Sequence, residues 1–169
     1  MSFPRPLALA KAGGESRIMK TKRYKIVPAS YLILLKNHRI LLSRRFNTGY
    51  RDGQYGLISG HLHQKESFTS AAIREAKEEA NLSVQKKDLK VVHAMNRYEP
   101  KNNKAELADR IDVFFLVKKW RGKIKNLEPD KCDDLNWFPL NKLPKKTIPY
   151  IRQSIYNISK KTFYSEYGY

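Results

Sequence analysis

Four carboxylates, Glu66, Glu75, Glu78 and Glu79, crowd into fourteen positions of a 169-residue chain that carries 34 Lys+Arg against only 16 Asp+Glu. If Phe68 to Leu82 is a helix, at about 100° per residue Glu75 and Glu79 lie near one meridian and Glu78 roughly 60° to one side. Phe68, Ala71 and Leu82 project into the same sector, so the acidic flank borders packed structure. Arg74 and Glu78 form an i,i+4 pair that can hold one acid in place. Like charges this close resist partial burial unless a cation neutralises them. Hard divalent ions suit such a flank, because Mg²⁺ or Mn²⁺ takes carboxylate oxygens, keeps several waters and bridges to substrate phosphates.

At these positions the chain resembles the Nudix hydrolase family, whose signature reads G-x5-E-x7-R-E-U-x-E-E-x-G-U, with U aliphatic. Gly60, Glu66, Arg74, Glu75, Glu78, Glu79 and Leu82 stand at the expected places. At average residue usage the six fixed Gly, Glu and Arg positions match by chance about once in 10⁷ starts. Asn81 replaces the second glycine, a mild change because Asn tolerates the left-handed conformation that ends helices, and Ala76 is a small choice at the aliphatic site.

The resemblance implies the Nudix fold over about Tyr24 to Ser159, an α/β (α+β) domain with a mixed β-sheet sandwiched between α-helices. It implies Mg²⁺-dependent hydrolysis (Mn²⁺ as substitute) of a nucleoside diphosphate linked to another group, by water attacking phosphorus. Glu75, Glu79 and Glu78 are then the metal ligands, with the Gly60 carbonyl completing the site. Glu66 and Arg74 orient loop and helix, and Arg74, Glu75, Glu78 and Glu79 form the catalytic set. For the base that deprotonates water, Glu79, Glu99, Glu106 and Asp133 stay open. The layout is closest to MutT-like nucleoside triphosphate pyrophosphohydrolases, an assignment joined by the Pro-Asp-Lys-Cys and Trp-Phe-Pro-Leu elements further on. Removal of phosphates or a cap from RNA 5′ ends, cleavage of ADP-ribose or dinucleoside polyphosphates, and a catalytically idle nucleotide- or RNA-binding domain are the alternatives. A homodimer is common for such small enzymes.

The elements that must position this chemistry can be read from pattern. Residues 1–20, with two prolines and Gly13-Gly14, read as a leader or cloning remnant, 21–160 as the domain, and 161–169 as a frayed tail. Strands are expected at YKIV, SYLILLK and RILLSRR, the last two joined by a tight Asn37-His38 turn. A short strand from Tyr55 to Ser59 delivers Gly60. Leu89 to Tyr98 and Arg110 to Lys118 read as strands. In the second of these Ile111, Val113, Phe115 and Val117 face the core, and Arg110, Asp112 and Phe114 form the face that could line a cleft. Asp134 to Leu140 reads as another strand. Ile148, Ile151, Ile155 and Ile158 mark a terminal amphipathic helix capped by Thr147, with Pro149 in its first turn. Arg44, Arg45, Arg97 and Phe114 are the candidate substrate contacts.

At 41% hydrophobic the chain fits one domain with a real core. A single cysteine, Cys132, excludes an internal disulfide, and no apolar run is long enough to span a bilayer, which together point to the cytoplasm and away from membranes. The formal net charge of +18 favours anionic partners: nucleotides, polyphosphates or RNA. Along the sequence the cations are spread from Lys20 to Lys161 and do not form one tract.

Overall fold

β-branched and leucine-rich segments supply the strands around which the chain is built. The computed structural model describes residues 25–99 and 109–169, so the leader and Glu106 lie outside the described residues. In chain order the elements are β1 (Val27–Lys36), β2 (Arg39–Arg45), β3 (Tyr55–Gly56), β4 (Ser59–His61), α1 (Phe68–Ala80), β5 (Leu89–Tyr98), β6 (Asp109–Val117), β7 (Cys132–Pro139), α2 (Pro149–Ser159) and β8 (Tyr164–Tyr167). The strand path is β3-β2-β1-β6-β5-β8, with β4 also paired to β1 and β7 to β2. β1–β6 and β5–β8 are parallel and the remaining pairs antiparallel, so the sheet is mixed.

β1 organises the fork that becomes the site. Its last residues pair with β2 (Leu35↔Ile40, Lys36↔Arg39), whereas its first half pairs with β4 (Ser30↔Gly60). Asn37 and His38 both take positive φ, 49° and 58°, the two-residue turn whose twist suits a hairpin. Of YKIV, Tyr24 lies outside the described residues, and Val27 joins SYLILLK in one strand that runs through Pro28, which loses nothing by lacking an N–H at the strand's start.

Both faces of the sheet are covered. Leu32, Leu34, Phe115 and Val117 pack against Ala72, Ala76 and Ala80 of α1. Ala29, Tyr31, Ile33 and Phe114 pack against Ile148, Ile151 and Ile155 around α2. Ala76 is fully buried, which accounts for the small residue at the aliphatic position: methyl-sized side chains let α1 sit close on β1.

The structure departs from expectation at three places. Phe114 is fully buried and stacks on Tyr31 at 4.8 Å between centroids. It belongs to the second core, not to a cleft, because α2 covers the face that the sequence left open. Thr147 does not cap α2. Ile148 is the cap residue, and the Thr147 hydroxyl donates to the Pro144 carbonyl at 2.7 Å. The tail does not fray, since Tyr164–Tyr167 adds β8 in parallel to Ala94–Arg97 of β5. There His93 contacts the Thr162 carbonyl and the Ser165 hydroxyl at 2.9 and 3.0 Å. No helix among the described residues is long and apolar enough to cross a membrane.

Candidate active site

α1 begins at Ser67, whose hydroxyl oxygen accepts the Ser70 N–H at 3.1 Å. It ends at Asn81 in the left-handed region (φ 59°, ψ 31°), where the Leu82 N–H folds back onto the Ala76 carbonyl at 2.9 Å, as the sequence anticipates for Asn at this position. A second tie holds its start to the sheet: Ser30 Oγ donates to the Phe68 carbonyl at 2.7 Å. The acidic flank is thereby fixed against β4.

Arg74 gathers the acids. Its Nε and Nη2 donate to Oε1 and Oε2 of Glu66 at 2.9 and 3.0 Å, and its Nη1 donates to Glu75 Oε1 at 2.5 Å and Glu78 Oε2 at 3.0 Å. Nη2 also reaches the His61 carbonyl at 3.1 Å, and Glu66 accepts the His63 N–H at 2.8 Å. These bonds from Arg74 and His63 hold the Glu66 carboxyl down to about 2. Glu75 lies directly over Gly60: a Cβ on that glycine would stand 1.6 Å from Glu75 Oε1. Burial raises the Glu75 carboxyl, against the pull of Arg74. Glu79 keeps part of its surface open to the cleft, yet is so surrounded by protein that burial, reinforced by Glu75 and Glu128, pushes its carboxyl up to about 8.

These acids occupy one end of a cleft of about 510 Å³ lined by Ser59, Gly60, Glu75, Glu78, Glu79 and Glu128 there, and by Arg45, Tyr50, Arg97, Glu99, Arg110 and Tyr150 elsewhere. Arg45 donates to the Tyr50 carbonyl at 2.7 Å and to Thr48 Oγ1 at 3.1 Å. Arg97 lies 3.9 Å over the Tyr150 ring and donates to Asp112 and Glu99, both at 2.7 Å. Glu99 also accepts from Tyr50 at 2.5 Å and from Arg51. Burial works to raise the Glu99 carboxyl, but these partners hold it below the usual range.

Of the residues singled out from sequence, Gly60, Glu66, Arg74, Glu75, Glu78 and Glu79 converge, and Arg45 and Arg97 join them in the cleft. Arg44 does not line it: its guanidinium clasps Asp133 at 2.7 and 3.0 Å. Asp133 likewise does not line the cleft. Glu128 and Tyr150 were missed. The Leu127 N–H binds the Glu79 carbonyl at 3.1 Å and the Glu128 N–H binds Asn126 Oδ1 at 3.0 Å, so this loop carries a further acid onto the end of α1. Its sequence signal was limited to the EPDKC stretch. Tyr150 falls at a helical spacing that reads as packing, and it does pack, with one face left for Arg97.

Among the described residues no three His, Cys, Asp or Glu side chains converge into a ready-made metal cage. The donors are carboxylate oxygens spread along one flank, where burial, reinforced by the neighbouring Glu75 and Glu128, pushes the Glu79 carboxyl up to about 8. This open, all-oxygen set fits a hard ion that completes its shell with water and substrate oxygens.

A family model described as the NUDIX domain matches residues 25–158. The chain is 29% identical over 133 residues to an ADP-ribose pyrophosphatase of Methanocaldococcus jannaschii, covering 78% of this chain and 73% of that protein. Among solved structures it is similar to a MutT NUDIX hydrolase from Burkholderia pseudomallei, with TM-score 0.70 and 21% identity over 79% of this chain and 98% of that one. It is also similar to a bifunctional NMN adenylyltransferase/ADP ribose pyrophosphatase from Francisella tularensis complexed with AMP and a manganese ion. There the TM-score is 0.61 and the identity 17%, over 85% of this chain and 44% of that one. At these identities the two structures bear on the fold.

Proposed function

Since the chain belongs to the Nudix family of pyrophosphohydrolases, we propose that it hydrolyses the diphosphate linkage of a nucleoside diphosphate derivative with the help of Mg²⁺ or Mn²⁺, ADP-ribose being the first substrate to try. The observation that carries the reading is the Glu66–Arg74–Glu75 chain locked against Gly60 at the acidic end of the cleft, next to Glu79. The 29% identity to an ADP-ribose pyrophosphatase favours a derivative of this kind over a nucleoside triphosphate as the first trial.

Glu75, Glu79, Glu78 and the Gly60 carbonyl are the oxygens we assign to the metal. Such an ion supplies charge neutralisation on the phosphates and a more acidic water. Arg74 sets the directions of Glu75 and Glu78, and Glu66 in turn fixes Arg74. Arg45 and Arg110 offer positive charge to the phosphates from the cleft wall. Among the described acids considered as base, Asp133 is held by Arg44, and Glu99 by Arg51, Arg97 and Tyr50. A Glu79 carboxylate oxygen therefore remains to accept the proton of the attacking water.

The test is release of AMP and ribose phosphate from ADP-ribose, beside nucleoside triphosphates, dinucleoside polyphosphates and 5′-triphosphorylated RNA, with each metal and with Glu79→Gln. Turnover of ADP-ribose that falls by about 10² or more in the folded variant is expected, the scale of losing a positioned acid–base group. Turnover restricted to triphosphates or RNA ends would overturn the substrate class. Turnover of no member of the panel by folded protein would overturn the enzymatic reading in favour of a binding module.

A further inference from the structure

Part of the positive charge that looks dispersed along the chain is gathered in one place. Residues 83–90 (SVQKKDLK) and 117–125 (VKKWRGKIK) carry eight lysines and arginines against one acid, Asp88. They hold seven of the eighteen net positive charges in a tenth of the chain. The two stretches run side by side. Ser83 and Arg121 exchange N–H···O bonds in both directions at 2.9 Å, and the Lys118 N–H binds the Asp88 carbonyl at 2.8 Å. Lys86, Lys87, Lys118, Lys119, Arg121 and Lys123 are exposed. None of them forms a salt bridge with a described residue.

Between the two clamps lies a groove of about 330 Å³ lined by Ser83, Gln85, Lys87, Asp88, Lys119, Trp120 and Arg121, three cations against one acid. Trp120 is half-buried, stacked on Trp137 at 6.4 Å and 28°. Gly122 fixes this segment: at φ +100° it lies so close to the helix end that a Cβ would stand 2.7 Å from the Asn81 carbonyl. The groove shares no lining residue with the cleft. It lies beyond the opposite end of β6, whose last residue Val117 is roughly 23 Å from Arg110 at about 3.3 Å per residue.

We propose that this groove is a second binding site, taking single-stranded nucleic acid, with phosphates on Lys87, Lys119 and Arg121 and a base against Trp120. Unpaired cations on both rims supply the sequence-independent attraction that a phosphate backbone needs, and a fixed indole supplies a stacking surface. A membrane surface fits less well, because the tryptophan is recessed and stacked and does not project beyond the cations.

Anisotropy of a fluorescein-labelled single strand tests it, across a salt series, with the triple variant Lys87→Glu/Lys119→Glu/Arg121→Glu. A second triple variant, Lys145→Glu/Lys146→Glu/Lys160→Glu, removes the same charge from exposed positions away from the groove. Each lost phosphate contact should lower the salt slope by about 0.7, so the groove triple should lose about 2 from the slope and at least tenfold in affinity at about 0.1 M salt. The other triple should lose less than about threefold, and ADP-ribose turnover should be unchanged in both. A strand carrying bases should bind the wild type about fivefold or more tightly than an abasic strand of equal length. Equal losses in the two triples, no preference for bases, or binding confined to phosphatidylserine vesicles would each overturn the site. Should the groove triple melt early, Arg121→Gln alone must lower the slope by about 0.7.

Discussion

Gly60→Ala is the sharpest perturbation of the acidic end, because a single methyl group meets a single carboxylate. The added Cβ would stand 1.6 Å from Glu75 Oε1, 2.2 Å from Cδ and 2.9 Å from Cγ. β4 cannot retreat without breaking its pairing of Ser30 with Gly60, so the Glu75 side chain must swing away. Swinging breaks the 2.5 Å bond from Arg74, a charge-assisted bond worth about 2 kcal/mol. For a chain of this size that lowers the melting temperature by about 4–8 °C. Displacing the carboxylate that we propose binds the metal by an ångström or more should lower kcat about 10²-fold. Thermal melts and steady-state kinetics are run on Gly60→Ala, Glu75→Ala and the double variant. If the clash is the cause, the stability cost of the methyl group disappears once Glu75 is Ala, giving a coupling of more than about 1 kcal/mol. An equal cost of Gly60→Ala in both backgrounds, or full activity of Gly60→Ala, refutes the argument.

Two titrations make further demands. Glu66 is held down to about 2 by Arg74 and His63, against about 4.3 in an unfolded chain. Its stabilisation is complete above that unfolded value and is lost as pH falls toward 2. Urea midpoints between about pH 5 and 2 should therefore slope less in Glu66→Gln than in the wild type, and equal slopes would refute the pairing. Burial pushes the His93 imidazole below its ordinary pKa, against the raising effect of the Thr162 carbonyl. Below about pH 6.5 the unfolded chain takes a proton that the folded one resists, so stability falls with acid. Melting temperatures between about pH 7 and 5 should drop less in His93→Gln than in the wild type.

The acidic helix was legible because its information is local. Helical spacing, a small-residue face and a left-handed-tolerant Asn81 each act within a few residues; α1 starts at Phe68 as expected and stops at Ala80, two residues before Leu82, because Asn81 caps it. The Asn37-His38 turn and the bounds of β5 were readable for the same reason. What failed depended on partners distant in sequence. Arg110, Asp112 and Phe114 read as a half-polar face, yet Asp112 is fully buried with one oxygen bonded to Arg97 and the other without a hydrogen-bond partner among the described residues. No period-2 pattern announces a buried ion pair. Arg44 and Arg45 are indistinguishable in sequence, and alternation along β2 sends one to Asp133 and the other into the cleft. Tyr164–Tyr167 is too short and too exposed to identify as a strand before Ala94–Arg97 is set beside it.

The pairing of β1 with β6 has a consequence for the order of folding. Val27 stands beside Arg110 and Leu34 beside Val117, so the ladder that carries the sheet closes a loop of more than eighty residues, and Gly60, Glu66 and the whole of α1 lie inside that loop. Closing it is entropically costly and is rewarded only once both strands are in register. The helix can form early, but Glu75 meets Gly60 only when β4 has found β1, and Arg97 meets the cleft only when β5 has found β6. Recovery of activity on refolding should therefore track the slowest phase of sheet formation, and no partly folded form should turn over substrate.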